Sequence, residues 1–270
     1  MPPSSPSQRR SPIRRWVRIG FLVWAVVSTT WMMGKFRTRG VAPELLEDSP
    51  TVTVQDTEET LAFLPSSPTA STGLVFLVGA GVAAEAYAPL LRPIAEQGHP
   101  VIVVRLPWRV APLERHKQIA VRRARTVLES QGTAESWVIA GHSQGGALAA
   151  RVARNPPEHL RAVVLIGTSH PKRFDLSESP VPITKIYGTH DGVATVEQIE
   201  ANRHLLPPDT RWIEIEGGNH SQFAHYGHQL FDGTPTVSRG KQQDITRAAL
   251  VDALKIDPAP FEREGEESRR

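Results

Sequence analysis

The chain has 270 residues, 40% of them hydrophobic, which suits one α/β domain with an N-terminal extension. It contains no cysteine, which excludes a disulfide framework, a cysteine nucleophile and a zinc–thiolate site. The net charge of +3 is unevenly spread: residues 1–40 carry +8 and no acid, so residues 41–270 are net −5, and the basicity reads as membrane-flanking rather than nucleic-acid binding.

Residues 1–15 are rich in Pro, Ser and Arg and are expected to form a disordered basic tail. Residues 19–34 are uncharged and mostly apolar, bracketed by Arg18 and Lys35. With its flanks, the segment 16–36 is expected as an N-terminal hydrophobic helix serving as a membrane anchor or a signal segment. The run is short of the ~20 residues of a bilayer span, but flanking cations can snorkel, and Trp16, Trp24 and Trp31 suit an interface. Anchor, cleaved signal peptide and buried helix all stay open. The lack of a small-x-small cleavage site and the cations straight after the run favour the anchor. Five Arg precede the run and three cations follow it closely. By the positive-inside tendency the N-terminus is cytoplasmic and the folded domain extracytoplasmic, with secretion after cleavage as the alternative. The membrane is thus an expected partner.

Residues 37–50 read as a linker. Residues 51–54 and 60–64 alternate apolar and polar, as in an opening antiparallel hairpin. Beyond them, short apolar runs at 74–78, 101–104, 137–140, 162–166, 183–187 and 212–215 read as buried parallel strands. Helices are expected at 85–97, 116–130, 146–154, 196–204 and 242–254. This alternation predicts an α/β fold: a mostly parallel, doubly wound sheet with helices on both faces, spanning 51–256. Within the second helix, Arg122, Arg123 and Arg125 read as a solvated face rather than a nucleic-acid patch. Residues 257–270 form a polar C-terminal tail.

The run Trp137-Val138-Ile139-Ala140 is followed by Gly141-His142-Ser143-Gln144-Gly145, which is G-x-S-x-G at a strand-to-helix corner. Such a corner holds its serine in a strained conformation, and the glycines leave room for the sharp turn. The hydroxyl is lifted toward the first amides of the next helix, whose dipole suits a developing oxyanion. In a sheet of this kind the site lies at the carboxyl ends of the strands. Asp191 follows the strand at 183–187 and His220 the strand at 212–215. Histidine can take the serine proton and return it to the leaving group, and a carboxylate behind it fixes the ring tautomer. Asp191 could instead cap the helix that follows it; its rivals Asp175 and Asp209 sit in less suitable loops. His225 and His228 lie close to His220, but the spacing does not read as a metal site, so no metal and no cofactor is expected. The Gln144 amide is one oxyanion donor. The second should come from the loop Gly79-Ala80-Gly81, whose small residues let backbone amides approach a ligand.

Four segments together resemble the α/β-hydrolase superfamily, fold-5 type with little or no cap, over roughly residues 50–255. They are Gly141-His142-Ser143-Gln144-Gly145-Gly146, Gly188-Thr189-His190-Asp191-Gly192, Gly217-Gly218-Asn219-His220 and Glu85-Ala86-Tyr87-Ala88-Pro89-Leu90. Where that family usually carries Pro-Gly-Gly after its third strand, this chain has Val78-Gly79-Ala80. By position the resemblance makes Ala80 the second oxyanion donor, and it places Trp108 in a pocket-forming loop; Gly79, Gly81 and His142 complete the expected pocket. The resemblance implies a serine hydrolase acting on the ester or related acyl bond of a small molecule through an acyl-enzyme, with Ser143, His220 and Asp191 as triad. Acyl transfer by the same triad, and a non-catalytic α/β-hydrolase-like binding protein, are the alternatives. The short connection at 167–181 leaves room for a small lid at most. Oligomeric state is not legible.

Overall fold

The computed structural model describes residues 12–130 and 132–256. The expectations for residues 1–11 and 257–270 lie outside the described residues. The first described element is helix α1 (Pro12–Lys35), which includes the apolar run. Trp16, Phe21, Leu22 and Trp24 are 70%, 64%, 62% and 64% exposed, and the Phe21 and Trp24 rings lie against each other with centroids 5.8 Å apart. The expected membrane span is not supported: among the described residues no helix is long and apolar enough to cross a membrane.

The stretch expected as a linker is docked. Phe36 stacks on Tyr226 with ring centroids 5.8 Å apart and also lies against Gly81. Thr38 bridges Tyr226, the Arg39 amide donates to the His225 carbonyl (2.9 Å), and Leu45 and Leu46 pack on the core from a short 3-10 turn (Pro43–Leu46).

Strands β1 (Val52–Asp56) and β2 (Thr60–Pro65) form the expected antiparallel hairpin. Next come β3 (Thr72–Leu77), α2 (Ala88–Ala95), β4 (Val101–Val104), α3 (Glu114–Glu129), β5 (Ser136–His142) and α4 (Gln144–Ala153). The chain continues through β6 (Leu160–Ile166), β7 (Ile183–Gly188), α5 (Val196–Glu200), β8 (Arg211–Ile215) and α6 (Arg239–Leu254). The eight strands make one sheet in the order β1-β2-β4-β3-β5-β6-β7-β8. β2 runs antiparallel to β4, and all pairs from β4 to β8 are parallel. Every residue of β5 is buried, as a central strand covered on both faces requires. Helices α3 and α4 pack together over one face, and α2 and α6 over the other. Each fully buried Val, Leu or Ile contributes about 1.5–3 kcal/mol of transfer free energy.

Two expected helices are broken, each for a stated reason. The stretch 85–97 divides into a 3-10 turn (Ala84–Tyr87) and α2, with Pro89 in the first turn, where its missing N–H costs nothing. The stretch 196–204 stops at α5 and a 3-10 turn (Arg203–Leu205), ahead of Pro207-Pro208, which cannot continue a helix. α6 starts earlier than expected because Ser238 caps it, its hydroxyl accepting from the Lys241 amide (3.2 Å).

One charge sits inside the sheet. Lys185 of β7 is 2% exposed, and its Nζ donates to the His170 carbonyl (2.6 Å). Burial, with a smaller push from Lys172, lowers its pKa from 10.5 to about 7. The unfolded chain therefore holds the extra proton between those values, and stability rises as pH climbs through that window. Lys185→Met should stabilise the fold by about 3 kcal/mol near pH 6, allowing for the lost hydrogen bond. Near pH 10 the gain should vanish. Chemical denaturation at both pH values checks this; an equal effect at both would mean that burial does not lower the Lys185 pKa.

Candidate active site

The site is assembled at the carboxyl ends of β5, β7 and β8. At the end of β5 the chain turns into α4 through Ser143, whose φ of 55° and ψ of −117° lie in a region that non-glycine residues rarely adopt. Such a backbone costs about 1–3 kcal/mol and must be pinned by its surroundings. The Ser143 amide donates to the Ile166 carbonyl (2.9 Å), and its carbonyl accepts from the Ala147 amide (3.1 Å). The motif glycines are steric requirements. A Cβ on Gly141 would strike the backbone of Gly145, and a Cβ on Gly145 would strike the Leu77 carbonyl at the end of β3.

Asp191 does two jobs at once. Its Oδ1 accepts from the amides of Val193 (2.8 Å) and Ala194 (2.7 Å), closing the turn ahead of α5. Its Oδ2 lies 2.8 Å from His220 Nδ1. Both side chains are buried from solvent. The helix cap expected as its alternative role falls instead to Thr195, whose hydroxyl accepts from the Gln198 amide (3.4 Å). Asp175 instead sits exposed and accepts from the Ser177 amide, and Asp209 is exposed.

A second carboxylate, which the sequence did not single out, supports the histidine from below. Asp232 Oδ1 accepts from the His220 amide (3.1 Å), and its Oδ2 accepts from the amide (2.8 Å) and hydroxyl (2.6 Å) of Ser221. It fixes the backbone that carries His220 without touching the ring. Asp232-Gly233 reads only as a turn, so little in the sequence could have revealed it.

His142 is fully buried beneath this pair, its ring centroid 4.6 Å from that of His220. The Tyr87 hydroxyl accepts from the Gly79 amide (2.9 Å) and lies 2.9 Å from His142 Nδ1, so it joins the loop after β3 to the elbow. Burial, and then the charge that His220 would carry, hold the His142 pKa well below its usual value. A neutral His142 spares a protonated His220 a like-charged neighbour.

Ser143 and His220 line one cavity of about 320 Å³, together with Gln144, Leu148, Thr168 and Ala194. No hydrogen bond joins the Ser143 hydroxyl to His220; such pairs are often long in unliganded sites and tighten around substrate. Residues 167–182 contain no helix or strand, so no helical cap is inserted there, and Gly167, Thr168, Ser169 and His170 of this loop line the cavity. The Ala80 amide makes no backbone hydrogen bond, and the Gln144 amide stands at the first turn of α4, where no intrahelical acceptor exists. Gly79 packs on His142, which ties this loop to the elbow.

The residues expected to form the pocket lie elsewhere. Gly79, Gly81, His142 and Trp108 are not walls of the Ser143 cavity. Gly81, at φ 78°, is covered by Phe36 and joined to Arg109 through its amide (2.8 Å). Trp108 is 79% exposed and borders a separate cavity with Val78 and Arg105. Trp108, Arg109 and Ala111 all have positive φ, a strained turn that sequence reading missed. It reaches the elbow where the Gln144 side chain donates to the Ala111 carbonyl (3.4 Å).

A family model described as alpha/beta hydrolase family matches residues 73–244. The chain belongs to that family. No curated protein matches it in sequence. Among solved structures, Est1E from Butyrivibrio proteoclasticus is similar at a TM-score of 0.56 and 10% identity, covering 76% of this chain and 99% of that one. A ferulic acid esterase from Streptomyces cinnamoneus is similar at 0.58 and 18%, covering 74% and 72%. A structure described as a membrane phospholipase A and bacterial virulence factor is similar at 0.57 and 13%, covering 90% and 99%. At such identities these likenesses establish the alpha/beta hydrolase fold alone. The eight-stranded, mostly parallel sheet agrees with the expected fold class.

Proposed function

We propose that this alpha/beta hydrolase is a serine hydrolase of ester or related acyl bonds, with Ser143 as nucleophile, His220 as base and Asp191 as its partner. The observation that carries the reading is the buried His220–Asp191 contact opening onto the cavity of a positive-φ Ser143. Ser143 Oγ bonds to the substrate carbonyl carbon while its proton passes to His220 Nε2. The carbonyl oxygen becomes an oxyanion held by the amides of Gln144 and Ala80. The intermediate collapses, the bond to the leaving oxygen breaks, and that oxygen takes the proton from His220. A water then gives a proton to His220, its oxygen attacks the acyl-serine, and collapse returns the proton to Ser143 Oγ and frees the acid. Asp191 holds Nδ1 protonated and stabilises the imidazolium throughout. The ferulic acid esterase among the similar structures supports the choice of an acyl bond. The small, uncapped cavity favours small or medium acyl groups.

The test is a fluorophosphonate probe on the full-length chain, with peptide mapping and a panel of acyl esters run with and without an added alcohol. The expected result is a single adduct on Ser143 and release of free acid. Ester products formed only with the alcohol would mark an acyltransferase, and a folded chain that neither labels nor turns over any ester would overturn the reading.

A further inference from the structure

Beside the catalytic cavity, and sharing Lys117, Arg151 and His170 with it as walls, runs a groove of about 900 Å³. Its charge is one-sided. Lys117, Arg122, Arg125, Arg151, Lys172 and Arg173 line it, Arg154 lies over its Phe174 ring, and Glu114 is its one acid. Glu114 is taken up by Arg151. Arg125 turns to the carbonyls of Val152 and Asn155. Among the described residues, Lys117, Arg122, Arg154, Lys172 and Arg173 have no ion-pair partner.

This is not spill-over from a basic protein, because residues 41–270 are net −5. The cations come from α3, α4 and the loop after β6, three separate segments whose charges converge on one depression. Like charges gathered around a concave wall repel one another in the folded state, and an anionic ligand relieves that cost. The groove's field also reaches its neighbours. His170, between groove and site, is held down to about 4, mainly by burial and then by Lys172, Lys185, Arg151 and Lys117. It thus stays neutral and adds an acceptor rather than a charge.

We infer that the groove binds the phosphate-bearing end of the substrate, so that the acyl bond presented to Ser143 belongs to a phosphorylated ester or thioester. This rests on the hydrolase reading above and adds the class of substrate to it. The chemistry of the step is unchanged: the phosphate stays bound to the substrate and takes no part in bond making, while the leaving oxygen or sulfur receives its proton from His220. The shared wall of Lys117 and Arg151 lets one molecule span both spaces. The phosphate could come from a lipid headgroup or from a nucleotide-bearing carrier.

The experiment compares three substrates with one acyl group: butyrylglycerol, the butyryl ester of glycerol phosphate, and butyryl-coenzyme A. They are assayed on the full-length chain and on the combined Arg122→Ala, Lys172→Ala, Arg173→Ala variant. Calorimetry with inorganic pyrophosphate runs alongside. The expected result is a kcat/KM at least about tenfold higher for one phosphate-bearing substrate than for butyrylglycerol at low salt, shrinking as salt rises. Which one gains identifies the headgroup or the carrier. In the variant the ratio should fall toward one, and pyrophosphate binding should weaken by a similar factor. General damage to the site would lower all three rates and leave the ratio intact, which would overturn the inference. So would equal rates on the neutral and phosphorylated esters by the wild type, with the hydrolase reading left standing. If no ester turns over while pyrophosphate binds the wild type and not the variant, the hydrolase reading falls and the anion site stands.

Discussion

Ser143→Ala should lower ester hydrolysis by roughly 10⁴–10⁶-fold and abolish fluorophosphonate labelling, while the melting temperature stays within a few degrees of wild type. The loss is large because the reaction loses its covalent step. The pinning bonds of the elbow use the Ser143 amide and carbonyl, which alanine retains, so the turn itself should persist. The residual rate is informative. A variant that keeps the amides of Gln144 and Ala80 in place should still outpace uncatalysed hydrolysis. A variant with near-wild-type turnover would move the nucleophile elsewhere and sink the assignment. Rates on a butyryl ester, with circular dichroism to confirm folding, decide it.

The largest loss of stability is expected two residues further on. Gly145→Ala puts a methyl group against the Leu77 carbonyl and close to the Val78 carbonyl, both backbone atoms at the end of a central strand. Backbone there cannot swing aside as a flexible side chain could, so helix α4 must lift from the sheet. Overpacking usually costs about 1–3 kcal/mol, and this case should lie at the upper end, lowering the melting temperature by roughly 6–12 °C. Because α4 carries the Gln144 amide, activity should fall with it. Gly240→Ala in α6 is the control, since a Cβ there meets nothing within 4 Å. In the first turn of α6 it should leave stability unchanged or raise it by at most about 0.5 kcal/mol. Thermal unfolding of both variants measures the contrast, and a harmless Gly145→Ala would show that the elbow tolerates a wider turn than its geometry implies.

The parts of this molecule that announce themselves in the sequence are those whose physics is local. A central strand such as β5 is apolar along its length because both faces are covered, and the glycines at 141 and 145 mark a turn that no larger residue fits. Asp191 and His220 stand where strand ends place them, and the fold brings them to 2.8 Å. What stayed hidden depends on contacts between distant segments. Tyr87 reaches His142 across 55 positions, Phe36 reaches Gly81 and Tyr226, and Asp232 holds a backbone eleven and twelve positions away. The groove shows the same limit. Arg122 and Arg125 look like an ordinary wet helix face until Arg151, Lys172 and Arg173 are folded opposite them. Membrane attachment was read from an apolar run in its basic setting, and the described residues supply no span to support it.

The stacking of Phe36 sets a leash length. Helix α1 ends at Lys35, and the next residue is already clamped between Gly81 and Tyr226, with Thr38 bridged and Arg39 hydrogen-bonded behind it. At ~3.5 Å per residue, the stretch from the end of α1 to Arg39 can extend no more than about 15 Å. The C-terminal end of α1 therefore stays within about 15 Å of the segment packed beside the loop that carries Ala80, with no slack for the hydrolase body to wander.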